Sequence, residues 1–134
     1  MKCVSIHQPW ASAILAGLVD TEYRCYPTDH RGDLLIHASG DVSDWDRRQL
    51  VLFGKRAPRW EQLLFGQVIG IVELWACDPG SNGEWGWGLR NPRLVKPFSI
   101  SPGRRLFEVE DPRIEIVTLN GRATRNDRPR RTKK

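Results

Sequence analysis

The sequence predicts a small α+β domain with five or six mainly antiparallel strands and short helices packed against them. The chain has 134 residues, which is most simply a single domain. Segments with strand-like patterns recur along it between turn residues, and two stretches have helical spacing. So many strands in so short a chain favour a sheet that curls into a small, partly open barrel.

The first elements are a strand over Lys2–His7 and a helix from Pro9 to Gly17. Proline is favoured at the first position of a helix and glycine at its end. The segment "TEYRCY" then alternates as a strand does, and a turn precedes a third strand at Leu34–Ala38. We therefore expect a helix between the first two strands.

The middle of the chain predicts a helix over Val42–Phe53 and a second helical piece over Pro58–Leu64. Gln67–Asp78 is rich in Val and Ile and predicts the longest strand. The glycine-rich stretch "DPGSNGEWGWG" follows, and we expect a last strand at Leu106–Val109.

Charge divides the chain into two parts. The formal net charge is +5, but residues 122–134 hold seven basic residues and one acidic residue, which leaves 14 basic and 15 acidic residues elsewhere. We expect one domain over 1–121 and a basic, disordered tail over 122–134. The tail either adds salt-sensitive phosphate affinity or only solubilises the chain.

Three scattered cysteines without a CxxC pair fit reduced thiols. The N-terminus lacks the pattern of a signal peptide, and no stretch resembles a membrane span. We therefore expect a soluble, cytoplasmic protein. The three histidines lack metal-ligand spacing, and no P-loop or GxGxxG motif is present. The sequence predicts neither a metal nor a cofactor.

The segment "DTEYRCY" places a carboxylate and a guanidinium on one face of a strand. Side chains alternate between the faces, so Glu22 and Arg24 lie together. Thr21, Tyr23 and Cys25 take the other face, which we expect to pack. The charged pair is either a solvated surface ion pair or part of a polar cleft.

A polar turn, His7–Gln8, lies where the first strand ends and the first helix begins. The N-terminus of that helix directs N–H groups and the positive end of its dipole toward the turn. If the turn meets the face of Glu22 and Arg24, they form a site that includes the flat ring of Trp10. Otherwise these residues only fasten the helix to the strand.

Two of the six tryptophans alternate with glycines. Trp85 and Trp87 share one face, while Gly86 and Gly88 leave the other bare for close approach. Aromatic rings beside basic residues stack unpaired bases, so Trp87–Asn91 either faces a cleft or packs in the core. Three further tryptophans lie in core-like patterns: Trp45, Trp60 and Trp75.

Three co-linear blocks, "SIHQPWASAILAG", "EYRCYPT" and "HRGDLLIHAS", resemble the ASCH (activating signal cointegrator homology) domain family. The likeness is strong over the first forty residues and continues weakly in "WGLRNPRLVKPFSISPGRRLFEV". It implies a PUA-like β-barrel with flanking helices. It also implies a cleft between the barrel and the first helix for nucleic acid or a modified nucleobase.

The family signature Gly-x-Lys-x-x-Glu-x-Arg matches Gly17, Glu22 and Arg24, but Val19 replaces the lysine. That lysine is the proposed catalytic group in members that resemble amidohydrolases of acetylated cytidine. Valine can act neither as a base nor as a nucleophile. A small hydrolase of N-acylated nucleosides therefore remains only as the alternative function.

The resulting hypothesis is a non-catalytic module that binds RNA or single-stranded nucleic acid and accepts a flipped or modified base. Arg24 contacts a phosphate or a base edge, Glu22 orients it, and an aromatic ring stacks. A regulatory protein whose cleft holds a peptide or metabolite is a third possibility. The predicted ligand-binding residues are His7, Gln8, Trp10, Glu22, Arg24, Trp87 and Asn91.

Overall fold

The structure is a computed structural model that describes residues 1–110, 114–117 and the backbone of 123–124. Its strands are β1 Lys2–Ile6, β2 Thr21–Arg24, β3 Gly32–Ala38, β4 Gln67–Pro79, β5 Trp85–Ser99, β6 Phe107–Glu108, β7 Ile116–Val117 and β8 Ala123–Thr124. The α-helices are α1 Trp10–Leu15 and α2 Asp44–Arg48, and 3-10 helices cover Gln49–Arg56, Trp60–Gln62 and Ser81–Gly83. None of the helices in this described part of the chain is long and apolar enough to cross a membrane.

The strands form a mixed sheet in the order β6-β1-β3-β4-β5-β7-β8, and β2 pairs with β5 beside this path. β1 and β3 run parallel, with Val4 opposite Ile36, whereas the other pairs are antiparallel. The predicted α+β class, with a small, curled and mainly antiparallel sheet, is confirmed.

The core lies on both faces of the sheet. Leu34 and Ile36 of β3 pack with α1 in one cluster, and Leu35 packs in a second cluster on the opposite face. A strand buried on both faces has a continuous apolar run rather than an alternating one, which explains "LLI". The first cluster holds α1 against the sheet.

Gly70 lets α1 lie close to β4. A methyl group at this position would overlap the side chain of Leu15 and lie 2.8 Å from the carbonyl oxygen of Arg93. The absence of a side chain at Gly70 therefore sets how closely the helix approaches the sheet.

Several predicted boundaries differ from the structure. The predicted helix over Val42–Phe53 is a short α2, capped by the Ser43 hydroxyl that accepts from the Asp46 N–H at 3.0 Å, followed by 3-10 turns. Gly54 has a φ of 56° and breaks the helical path there. The predicted piece over Pro58–Leu64 shortens to one 3-10 turn at Trp60–Gln62.

The largest error in the prediction concerns β5, because no strand is assigned to Trp85–Ser99 from the sequence. This strand pairs with β4 over most of its length, with three register shifts. Irregularities of this kind accommodate the Gly, Asn and Pro residues that suggest a loop. Ala123–Thr124 pairs with β7, so the sheet reaches two residues into the segment predicted as the tail. The remainder of that segment lies outside the described residues.

Candidate ligand-binding cleft

Two groups of residues flank α1. At its N-terminal end lies a cluster of charged and aromatic side chains around Glu22 and Arg24, here called the polar cluster. At its C-terminal end lies a concave pocket against β4 and β5, here called the α1 pocket. Both groups include residues of β2, since Thr21 lines the pocket and Glu22 belongs to the cluster, but the side chains of these neighbours leave opposite faces of the strand.

The polar cluster is built on one ion pair. The guanidinium of Arg24 donates to the Glu22 carboxylate at 3.1 Å, to the backbone carbonyl of Ser5 at 3.1 Å and to the Tyr26 hydroxyl at 3.2 Å. The side chains of Glu22 and Arg24 are only 18% and 20% exposed. The β2 face therefore does meet the strand that leads into the polar turn, and the pair is not a solvated surface pair.

Burial and charge act in opposite directions on this pair. Burial raises the pKa of Glu22 above its usual range, although the positive charge of Arg24 and its hydrogen bond oppose the rise. Burial also lowers the pKa of Arg24, but the hydrogen bond to Tyr26 and the attraction of Glu22 outweigh it, so that pKa is raised. Arg24 is thus a firmly charged cation beside a carboxylate that takes up a proton more readily than usual.

His7, which lies near Glu22, and Trp10 both contact the segment after β3. The half-exposed His7 ring bonds Asp46 through Nδ1 at 2.9 Å. The Trp10 ring meets the Phe53 ring edge-on, with centroids 5.5 Å apart. These contacts place residues near α2 beside the entrance to the cluster.

Gln8 has a structural role, which corrects its prediction as a ligand-binding residue. It is buried, its Oε1 accepts from the Ser12 N–H at 3.0 Å, and its Nε2 donates to the Leu64 carbonyl at 2.9 Å. The N–H groups of Ala11 and Ala13 are also bonded within the chain. We expected unpaired backbone N–H groups at the start of α1 to face the cleft, and this is wrong for Ala11, Ser12 and Ala13.

Trp87 is also a structural residue. Its ring is fully buried, and its indole N–H donates to the carbonyl of Tyr26 at 3.2 Å. A side chain with no exposed surface cannot stack on an incoming base, so the predicted stacking role of Trp87 is wrong in this conformation. The ring instead lies beneath Arg24, 5.8 Å from the guanidinium carbon.

The glycine face of β5 is covered. The space beside Gly86 is filled by Tyr23 and Thr21 of β2, at 3.3 and 3.4 Å from the position of a Cβ atom, and that beside Gly88 by Trp75 at 3.1 Å. Tyr23 nevertheless remains exposed, so the expectation of a well-packed odd face on β2 is wrong. Trp45 and Trp75 are exposed too, contrary to their prediction as core residues.

The α1 pocket has a volume of about 470 Å³, within the usual range for ligand pockets. Three buried side chains, Ile14, Val72 and Leu89, and the half-buried Val19 supply apolar surface. The remaining lining residues include Asp20, Thr21, Trp75, Arg90 and Asn91. Apolar surface with a few polar groups at the edge is typical of sites for small organic ligands.

Glu73 holds two edge residues of the pocket in place. The Asn91 amide donates to one carboxylate oxygen at 2.7 Å, and Arg90 donates to the other at 2.9 Å. The hydrogen bond from Arg90 is the main reason that the pKa of Glu73 is lowered. The Arg90 guanidinium also lies 5.1 Å from the Trp75 ring centroid, so the edge is preorganised.

The segment Trp87–Asn91 predicted from the sequence includes Arg90 and Asn91, whereas Trp75 and Glu73 were not predicted at this site. Trp75 lies in an apolar run of β4 and therefore resembles a core residue, yet it is exposed because β4 extends beyond the core. Asn91 has a positive φ of 53°, a conformation that Asn tolerates better than most residues.

The four signature positions are divided between the two groups. Gly17 and Val19 line the α1 pocket, whereas Glu22 and Arg24 form the polar cluster. Val19 contributes apolar surface where the family signature has a lysine amine.

The architecture defines a small, barrel-like α+β domain with a cleft beside its first helix. The model of the ASCH domain matches residues 4–86, and the chain belongs to the ASCH domain family. It is 36% identical over 81 residues to activating signal cointegrator 1 of Mus musculus and 35% identical to that of Homo sapiens. These matches cover 56% of this chain but only 14% of each relative.

A solved structure shares the fold. A crystal structure of a mutant ASCH protein from Zymomonas mobilis superposes with a TM-score of 0.55 at 16% identity, and the match covers 81% of this chain and 87% of that chain. At this identity the similarity shows the fold alone.

Proposed function

We propose that the chain is an RNA-binding module that holds a single-stranded, flipped or modified base in the cleft alongside α1. The ASCH family is generally associated with RNA binding. The observation that carries the proposal is the α1 pocket, with its apolar lining and its polar edge at Asn91 and Arg90. RNA is read mainly through unstacked bases that enter such sites.

In this proposal the base lies against the apolar side chains of the pocket, and Asn91 offers its amide to the edge of the base. Arg90, which is exposed beside the pocket, contacts a phosphate. An amide beside an apolar surface can bind a base without catalysing a reaction of the base. The apolar surface stacks on the base, and the amide forms hydrogen bonds with its edge.

In the same proposal, the polar cluster binds the neighbouring nucleotide of the RNA strand. Arg24 is positively charged, and its side chain is 20% exposed. It therefore contacts a phosphate or a base edge of this nucleotide, while Glu22 orients the guanidinium. Trp10 and His7, which both contact the segment after β3, stack on or bond the next nucleotide. The two ends of α1 together thus accommodate adjacent nucleotides.

A hydrolase of N-acylated nucleosides remains the alternative function. Val19 is the observation against it, because it lines the pocket at the signature position of the lysine. No lysine is among the described residues that line the pocket. Turnover of acylated cytidines, detected by mass spectrometry with the wild-type protein, would favour this alternative.

The proposal is tested by fluorescence anisotropy with a labelled single-stranded RNA of about four nucleotides, the low end of the site sizes seen for such modules. Val19→Phe fills the pocket, and Val42→Phe adds the same ring at an exposed position that does not line it. We expect the first variant alone to lose affinity. Equal binding by both variants, each with wild-type thermal stability, would contradict the proposal.

A further inference from the structure

We infer that residues 44–60, here called the basic lobe, form a second RNA-binding surface that takes the backbone of the strand as it leaves the cleft. The inference rests on the proposed function and extends it to longer RNA. It follows from three properties of the segment: what it buries, its charge and its position.

The basic lobe buries almost nothing. Neither α2 nor the 3-10 turns at Gln49–Arg56 and Trp60–Gln62 contain a buried side chain. Trp45 is 60% exposed, Val51 79% and Leu52 64%. Apolar side chains concentrated at the surface of a small domain mark an interaction site, and an exposed indole provides a platform for bases.

The charge of the lobe specifies a polyanionic partner. The lobe contains five basic residues and two acidic ones, Asp44 and Asp46, whereas the rest of residues 1–121 contains nine basic and thirteen acidic residues. Positive charge in the body of the protein is therefore concentrated on this lobe. The exposed cations are Arg47, Arg48, Lys55, Arg56 and Arg59.

Arg47 differs from the other four. Its guanidinium lies 5.7 Å from the Trp60 ring centroid and 3.8 Å from the Glu61 carboxylate, so replacing it would also remove contacts within the chain. Arg48, Lys55, Arg56 and Arg59 are the cations we assign to phosphates, and the first three are replaced in the test.

The position of the lobe favours RNA over an anionic membrane. His7 bonds Asp46, and Trp10 packs on Phe53, so the lobe adjoins the polar cluster directly. An RNA strand with one base in the cleft therefore reaches the lobe within a few nucleotides of that base. Binding of an anionic membrane would not require the lobe to lie beside the cleft.

The test compares two triple variants of the full chain that carry the same change in net charge. In the lobe variant Arg48, Lys55 and Arg56 are replaced by Gln. In the control variant Arg31, Lys96 and Arg104, which are exposed elsewhere on the body, are replaced by Gln. Anisotropy is measured against single-stranded RNAs of about four and about twelve nucleotides, spanning the usual site sizes, over a salt series.

The lobe variant should bind the longer RNA more weakly, and its slope of log K against log salt should fall by about two, since each phosphate contact to a single strand contributes about 0.7. Binding of the short RNA should not change, and the control variant should keep the wild-type slope. Trp45→Ser should weaken binding of the longer RNA by roughly 5- to 150-fold, the range for a stacked base.

Equal slopes for the lobe variant and wild type would overturn the inference. Loss of binding to phosphatidylserine vesicles in the lobe variant, with RNA binding unchanged, would also overturn it and indicate a membrane surface. A third outcome separates the two proposals. If the short RNA binds neither the wild type nor any variant, while binding of the longer RNA depends on the lobe, the base-binding cleft is refuted and the lobe is supported.

Discussion

The guanidinium of Arg24 donates to the Glu22 carboxylate and to the backbone carbonyl of Ser5, each at 3.1 Å. In the sheet, β1 and β2 are connected only through β3, β4 and β5, within the pairings that the structure describes. The bond from Arg24 to Ser5 therefore bridges the open side of the curled sheet. This hydrogen bond links the two strands at the N-terminal end of the cleft, and the ion pair within β2 holds Arg24 in position to make it.

Arg24→Gln should lower the free energy of unfolding by roughly 2–3 kcal/mol, because it leaves a largely buried carboxylate without its cation. The double variant with Glu22→Gln removes both charges and should recover part of that loss. Urea unfolding of the two variants and wild type measures the effect. Equal stability of the single and double variants would show that Glu22 is solvated without Arg24.

The stability contributed by Glu22 should depend on pH. Because burial raises its pKa in the folded state, its protonated form stabilises the fold at pH values below the unfolded pKa. That contribution is lost as the pH rises through the raised folded pKa.

The comparison that isolates this effect is wild type against Glu22→Gln. The stability of Glu22→Gln relative to wild type should increase as the pH is raised from about 4 to 7, since only the wild type loses this contribution. Thermal unfolding at several pH values measures the difference. A difference that is constant or decreases with pH would contradict the raised pKa.

Gly70→Ala should destabilise the fold, because the added methyl group overlaps Leu15 of α1 and approaches the Arg93 carbonyl. Overpacking of this kind typically costs about 1–3 kcal/mol. Gly40→Ala is the matched control, since a methyl group there meets nothing within 4 Å. The unfolding midpoint in urea should be lower for Gly70→Ala than for Gly40→Ala. Identical midpoints would mean that α1 can move away from the added methyl group without a loss of folding free energy.

Asn91→Gly should weaken binding of the short RNA by about 1–3 kcal/mol, the range for a good base contact. Glycine accepts the positive φ at this position, so the change removes the amide while keeping the backbone. Asn82→Gly is the control, because Asn82 has a similar φ of 58° but does not line the pocket. If both variants bind like wild type, Asn91 makes no contact with the base.

The sequence predicts the parts of the fold that have a regular pattern. Apolar and β-branched runs locate β1, β3 and β4, and the alternation in β2 correctly places Glu22 and Arg24 on one face. β5 escapes prediction because Gly, Asn and Pro within it are tolerated only through register shifts with β4. Those shifts depend on tertiary pairing and have no local signal.

The candidate site is harder to predict than the fold. Trp87 and Gln8 have the residue types of a binding site, yet both are buried and hold elements together. Trp75 has the sequence context of a core residue, yet it lines the pocket. Whether an aromatic residue lies inside or outside depends on where the core ends along a strand, which local sequence does not specify.

Chemical-shift mapping of the isotope-labelled protein with the short single-stranded RNA tests the base-binding cleft most directly. The account predicts the largest changes at the backbone amides of Val19, Gly88 and Asn91 and at the indole N–H of Trp75, all at the α1 pocket. It predicts smaller changes at the surface residues of the polar cluster. Changes restricted to residues outside the cleft, with the α1 pocket unaffected at saturation, would contradict it.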